Sequence, residues 1–128
     1  MKRQREQALL FLTKAAEDET LLKKVIDDDE VSDSVIGFHF QQAAEKLLKA
    51  RLSMLGVRFA KTHDLAALAD LLKDSGNPLP AGLDGIDSLT PYAASLRYEL
   101  AGEEEPLDRQ SAEKMLRELR TWVEAAIT

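Results

Sequence analysis

Ile36, Phe40, Ala43, Leu47, Ala50 and Met54 follow one another at spacings of 4, 3, 4, 3 and 4, the repeat of one face of an α-helix. A second apolar row, Ala44, Leu48, Leu52 and Leu55, flanks the first. Together the rows cover more than half the circumference of a helix over about residues 33–55, which places that helix mid-domain with neighbours on several sides. Phe40, Leu47 and Met54 are then expected to be nearly inaccessible. Gln42, Glu45, Lys46, Lys49 and Ser53 are expected to form its wet strip, with Lys49 exposed. The same reading predicts a first helix over about 3–26, with Leu9, Leu12, Ala16, Leu22 and Ile26 inward and a bend near Asp18. A third starts with Thr62 as N-cap and Asp64 in its first turn, turns Leu65, Leu68 and Leu72 inward, and ends by Gly76. The fourth starts near Leu83 or at Thr90, the latter putting Pro91 in the first helical position, and carries Leu89, Ala93, Leu96 and Leu100 inward before Gly102. The last, about 107–127, uses Ala112, Met115, Leu119, Trp122 and Ala126. No stretch alternates with period two, so no strand is predicted.

Breaks between these segments fall at Asp27 to Asp33, at Gly56, at Ser75 to Pro80 and at Gly102 to Pro106. They are short, and neither a repeat nor a linker divides the chain. An all-α single domain spanning residues 1–128 is the expectation, and that length suffices for one core. With 45% hydrophobic and 31% charged residues, the chain has the balance of a folded helical protein. It has no cysteine and only two histidines, so disulfides and thiolate sites are excluded and neither a metal nor a cofactor is expected. The apolar run from Ala8 to Leu12 stops at Thr13, too short for a signal peptide or a membrane span, which points to a cytoplasmic protein without a membrane partner.

The net charge of −6 argues against a nucleic-acid partner, but the average conceals an uneven distribution. Ten of the 23 acidic residues lie in three runs, Glu17 to Glu19, Asp27 to Glu30 and Glu103 to Glu105. The other 13 face all 17 basic residues, leaving the rest of the chain at +4. The runs themselves read as solvated helix ends and loops.

Candidate chemistry concentrates in FHFQQAAEKLLKA (residues 38–50), in KTHDL (61–65), and in YAASLRY (92–98). In the order and spacing of these pieces the chain resembles the HEPN family, small prokaryotic helical domains similar to the helical part of aminoglycoside nucleotidyltransferases. The resemblance extends from the first helix to the last. It implies an up-and-down bundle of about five helices and a homodimer; because the second helix has its apolar rows committed to the core, the unpaired apolar side chains of a dimer are expected on the first or fourth helix. Because such domains are often encoded beside a minimal nucleotidyltransferase, it also implies that enzyme as a partner, within a toxin and antitoxin pair.

For activity the resemblance implies two branches. Metal-independent ribonucleases of the family carry an Arg and, after four to six intervening residues, a His, the Arg stabilising phosphate charge while the His moves a proton. Arg97 fits the first half, but Gly102, Glu103 and Glu104 stand where the His belongs. Arg58 and His63 have the spacing, although across the loop before the third helix. The expectation is therefore a non-catalytic module that binds a nucleotide, single-stranded RNA or a nucleotidyltransferase through Gln42, Lys46, Lys49, Tyr92, Arg97 and Tyr98. The alternatives are an endoribonuclease using Arg97 or Arg58 with His63, and a dimeric scaffold without ligand. Each residue also has a plain structural account: His63 bonding local backbone at a helix start, His39 packing half-buried, Tyr92 and Tyr98 as wedges, Arg97 pairing with Glu45 or Glu99, and Lys46 and Lys49 as a solvated face.

Overall fold

The computed structural model describes residues 2–94, 100, 102 and 106–127. Four α-helices have both ends among them, α1 (Lys2–Val25), α2 (Asp33–Leu55), α3 (Leu65–Asp74) and α4 (Arg109–Ile127), and Leu100 is helical as well. Two 3-10 segments, Ala81–Leu83 and Ile86–Ala94, lie between α3 and α4. No strand occurs among the described residues, and the molecule is the all-helical bundle that the sequence predicts.

α2 is the central helix, packed against α1, α3, the 86–94 segment and α4. Its limits follow from local chemistry. Ser32 caps its start by accepting a hydrogen bond from the Val35 amide. Gly56, at φ 71°, ends it in the left-handed conformation, and the amides of Gly56 and Val57 reach back to the carbonyls of Ser53 and Leu52. The Gln4 side chain lies against Gly56 while Val25 leads into α2, so α1 and α2 run antiparallel. Arg109 sits at the opposite end of the bundle, binding the Asp33 carboxylate and the carbonyls of Ile26, Asp28 and Val31. At mid-length, Arg120 of α4 makes a two-pronged bond to Glu19 of α1.

Phe40 and Leu47 are buried as predicted, whereas Met54 is only half-buried. The predicted wet strip is corrected more sharply, because Glu45 and Ser53 are buried and Lys49 lies largely covered. α1 contacts α2 through Ala8, Ala15 and Leu22, spaced by seven, with Asp18 buried among them; Leu9 and Leu12 stand at the edge and Ala16 is exposed. Small side chains let two backbones approach, so the closest contact falls on alanines rather than on the bulkier leucines. The buried row of α4 is Ala112, Leu116, Leu119, Val123 and Ile127, which leaves Met115 and Trp122 at its margin and Ala126 exposed. α3 buries Leu65, Leu68 and Leu72 as expected, but its cap is Asp64, whose carboxylate accepts from the amides of Ala66 and Ala67. Thr62 instead accepts from the Asp64 amide.

The stretch predicted as a fourth helix starts as the 3-10 segment 86–94, with Pro91 inside it rather than in the first position. Leu89 is buried there, Leu100 is 80% exposed, and Leu96 lies outside the described residues. A 3-10 turn advances the chain about 120° per residue where an α-helix advances about 100°, so a stripe drawn on the α-helical period loses phase.

Gly37, in the interior of α2, faces the ring of Tyr92: a Cβ there would stand 2.3 Å from Tyr92 Cδ1. Helix propensity alone favours alanine at such a position by roughly 0.5–1 kcal/mol. Gly37→Ala is nonetheless expected to destabilise the fold by about 1–3 kcal/mol, the usual cost of overpacking. Urea unfolding checks the sign; a stabilised variant would mean that the Tyr92 ring moves aside freely.

Candidate functional site

His39, Gln42, Lys46 and Lys49 follow at spacings of 3, 4 and 3 along α2, which stacks them in one row on its surface. A carboxylate stands on each side of the row. On the α1 side, Asp18 accepts Lys46 Nζ at 2.7 Å and lies 2.9 Å from His39 Nδ1. On the side of the loop joining α2 to α3, Glu45 accepts Lys49 Nζ at 2.8 Å, lies 2.7 Å from His63 Nδ1 and accepts Gln41 Nε2 at 3.0 Å. Each carboxylate thus joins one lysine and one histidine. Gln41, fully buried, also donates to the His63 carbonyl, and its own side-chain carbonyl accepts from Gln42. Phe59 completes this side: its ring meets Phe11 of α1 at 6.1 Å, and Lys49 Nζ lies 5.7 Å from its centre.

Burial raises the proton affinity of Glu45, but the bonds from Lys49, His63 and Gln41 outweigh it and hold the carboxyl below its ordinary value. An ionised carboxylate only accepts, so in the neutral ring the proton of His63 sits on Nδ1 and Nε2 remains an acceptor. With 66% of that side chain exposed, Nε2 is open to solvent. A carboxylate fixing one imidazole nitrogen while the other stays accessible is the arrangement of a positioned general base. It equally ties the loop to α2 through both the side chain and the backbone of His63.

Gln42, Lys46 and Lys49 thus lie together on α2, with the two lysine side chains 26% and 12% exposed. Tyr92 is buried against Gly37, roughly 150° round α2 from this row. Arg97 and Tyr98 lie outside the described residues. Arg58 lines a cleft beside the start of α1, whereas His63 is held at Glu45. His63 binds a side chain from another element rather than the local backbone expected of it, and His39 does more than pack, since it faces Asp18. Of the acidic run Glu17 to Glu19, only Glu17 is solvated as expected; Asp18 holds this site and Glu19 holds Arg120. Asp18, Gln41 and Glu45 are the site residues that sequence reasoning did not select. One signal was present: Asp18 interrupts a row of apolar positions facing α2.

No group of three or more His, Cys, Asp or Glu among the described residues is placed to hold a metal, and no helix among them is long and apolar enough to cross a membrane. The family model described as HEPN domain matches residues 7–126. No curated protein and no solved structure matches the chain.

Proposed function

The chain belongs to the HEPN domain family, and from that premise we propose that it is a non-catalytic module whose α2 row binds a nucleotide or single-stranded RNA. The observation that carries this reading is the row itself: Gln42, Lys46 and Lys49 aligned and partly covered on the most enclosed helix of the bundle, and held in place by buried carboxylates. Burying charged groups on a central helix costs stability that apolar side chains would not, and such an expense is characteristic of sites. The lysines are positioned in advance, so a ligand that bonds them loses little side-chain entropy. Phe59 beside Lys49 supplies an aromatic edge for a base. Arg97 and Tyr98, which lie outside the described residues, belong to the proposal as ligand contacts on the family resemblance alone. A homodimer, and a minimal nucleotidyltransferase as partner in a toxin and antitoxin pair, remain proposals that rest on the family. Sedimentation at micromolar concentration tests the first.

Binding of labelled single-stranded RNA and of adenosine 5′-monophosphate tests the site. Lys46→Gln with Lys49→Gln is expected to weaken one or both by about tenfold, equivalent to about 1.4 kcal/mol, while circular dichroism confirms folding. Unchanged affinity for both ligands in the folded double variant would sink the proposal.

A second reading is favoured by one observation, the exposed imidazole of His63 fixed by Glu45 at 2.7 Å. In this reading the protein is a metal-independent endoribonuclease, with His63 taking the proton of the RNA 2′-hydroxyl and Arg58 or Arg97 meeting the phosphate. The first reading expects no cleavage of labelled RNA in the presence of a chelator. Cleavage by the wild type that is lost in His63→Ala would replace it with the second.

A further inference from the structure

Beyond Gly56 the chain turns back along the start of α1, and the two enclose a cleft of about 540 Å³ lined by Arg3, Gln4, Gln7, Ser53, Gly56, Val57, Arg58 and Phe59. Two arginines and no acidic side chain line it, in a chain whose net charge is −6. The charges of the α2 row are compensated, Lys46 by Asp18 and Lys49 by Glu45, whereas Arg3 and Arg58 form no ion pair among the described residues. The cleft is thus a concentration of uncompensated positive charge, and a concave wall focuses such a field on an incoming anion. A second feature is independent of charge. Ser53 is 5% exposed, and its hydroxyl has no hydrogen-bond partner, a costly condition for a buried polar group. It belongs to the lining of the same cleft. The amides of Gln4 and Gln7 add donors and acceptors, and the Gln4 amide is held against the Cα of Gly56, where any Cβ would stand 2.5 Å from its nitrogen.

We propose that the cleft formed by Arg3, Gln4, Gln7, Ser53 and Arg58 is a binding site for a phosphate monoester. Guanidinium groups bond phosphate oxygens in pairs, the Ser53 hydroxyl, covered in this structure, gains a partner when its side chain rotates toward the ligand, and the volume lies within the range of small-ligand sites. Arg3 and Gln4 precede the stretch that the family model matches, so the site lies partly outside that stretch. It adjoins the α2 row at Phe59, which borders both, but its phosphate-binding groups are Arg3 and Arg58 rather than the lysines of that row.

The test uses the full chain and nuclear magnetic resonance. Inorganic phosphate, adenosine 5′-monophosphate and adenosine are titrated to about 10 mM, above a millimolar Kd, while the backbone amides of residues 56–59 and the arginine Nε–H groups are followed. Phosphate and the monophosphate are expected to shift Arg3, Arg58 and the 56–59 amides; adenosine is not. Arg58→Ala and Arg3→Ala should each weaken binding at least fivefold. Ser53→Ala should weaken it by a smaller factor, and Arg117→Ala, a charge change of the same size on the exposed face of α4, should leave it unaltered. Absence of shifts with phosphate, equal shifts with adenosine, or equal losses in Arg117→Ala and Arg58→Ala would each overturn the site. The arms also separate this inference from the α2 proposal: Lys46→Gln with Lys49→Gln removes binding at the row, and the arginine variants remove it at the cleft.

Discussion

Replacing Phe40 with alanine is expected to lower the unfolding free energy by about 3–5 kcal/mol, the range found for emptying an aromatic core position. In a domain of this size that corresponds to a fall in Tm of roughly 10 to 20 °C. Phe40 is 1% exposed and lies where α1, α2 and α4 meet. A crevice of about 180 Å³ between Leu22 of α1, Ile26 just beyond its end and Leu116 of α4 already reaches its ring. Removing the ring enlarges that space instead of letting neighbours close on it, because α1 and α4 are held apart by fixed contacts, Arg120 on Glu19 at mid-length and Arg109 on the loop before α2. The cost should therefore fall in the upper part of the range. Urea denaturation at two protein concentrations checks it, and a loss below about 1 kcal/mol would contradict the packing described for α2.

α2 was the most legible element because its signals agree: two apolar rows at helical spacing and a glycine just past the end. The expected limits, about 33–55, coincide with the observed helix. Where signals conflict, the phase is lost. In α1 the leucines suggested one face, yet Ala8 and Ala15 mark the contact, because the helix that approaches most closely needs the smallest side chains. In the 86–94 segment a proline and a 3-10 turn displace the period on which Leu100 was assigned an inward position. Gly37 gave no reason in one dimension for a glycine inside a helix; the reason is the Tyr92 ring, distant in sequence.

The site was legible in part for a related cause. Gln42, Lys46 and Lys49 share a row by spacing alone, so the sequence places them together. Their carboxylate partners were not found, because a helix of alternating charges reads as a solvated face whether or not a neighbour covers it. Glu45 was assigned to water for that reason, and Asp18 was grouped with Glu17 and Glu19 as a surface run. Tyr92 could be separated from the row only by counting turns from Gly37, a contact that the sequence does not announce. The pairing of His63 with Glu45 required the loop at 57–64 to fold back along α2, which depends on the left-handed turn at Gly56.

Glu45 is the second position where a single change should have a large effect. Its carboxylate is 6% exposed and receives Lys49, His63 and Gln41. Glu45→Ala removes the common acceptor and leaves a largely covered ammonium and a buried amide without it, so a loss of about 3 kcal/mol at neutral pH is expected. This is the lower end of the cost of breaking a buried pair, since Lys49 can extend toward water. The pH dependence gives a more specific readout. Because the carboxyl is held below its ordinary value of 4.5 in the folded protein, the native state favours the ionised form more than the unfolded chain does. Its contribution is then fully present above pH 4.5 and is lost as pH falls through the lower, folded value. Wild type should therefore lose stability on acidification below about pH 4.5, through the range in which Glu45 takes up its proton. Glu45→Gln, which imitates the protonated carboxyl, should be less stable than wild type at pH 7 and approach it at pH 3. Chemical denaturation of the two proteins across that range measures the difference directly. A gap that stays constant from pH 7 to pH 3 would mean that the carboxylate is not the acceptor binding Lys49 and His63 to α2.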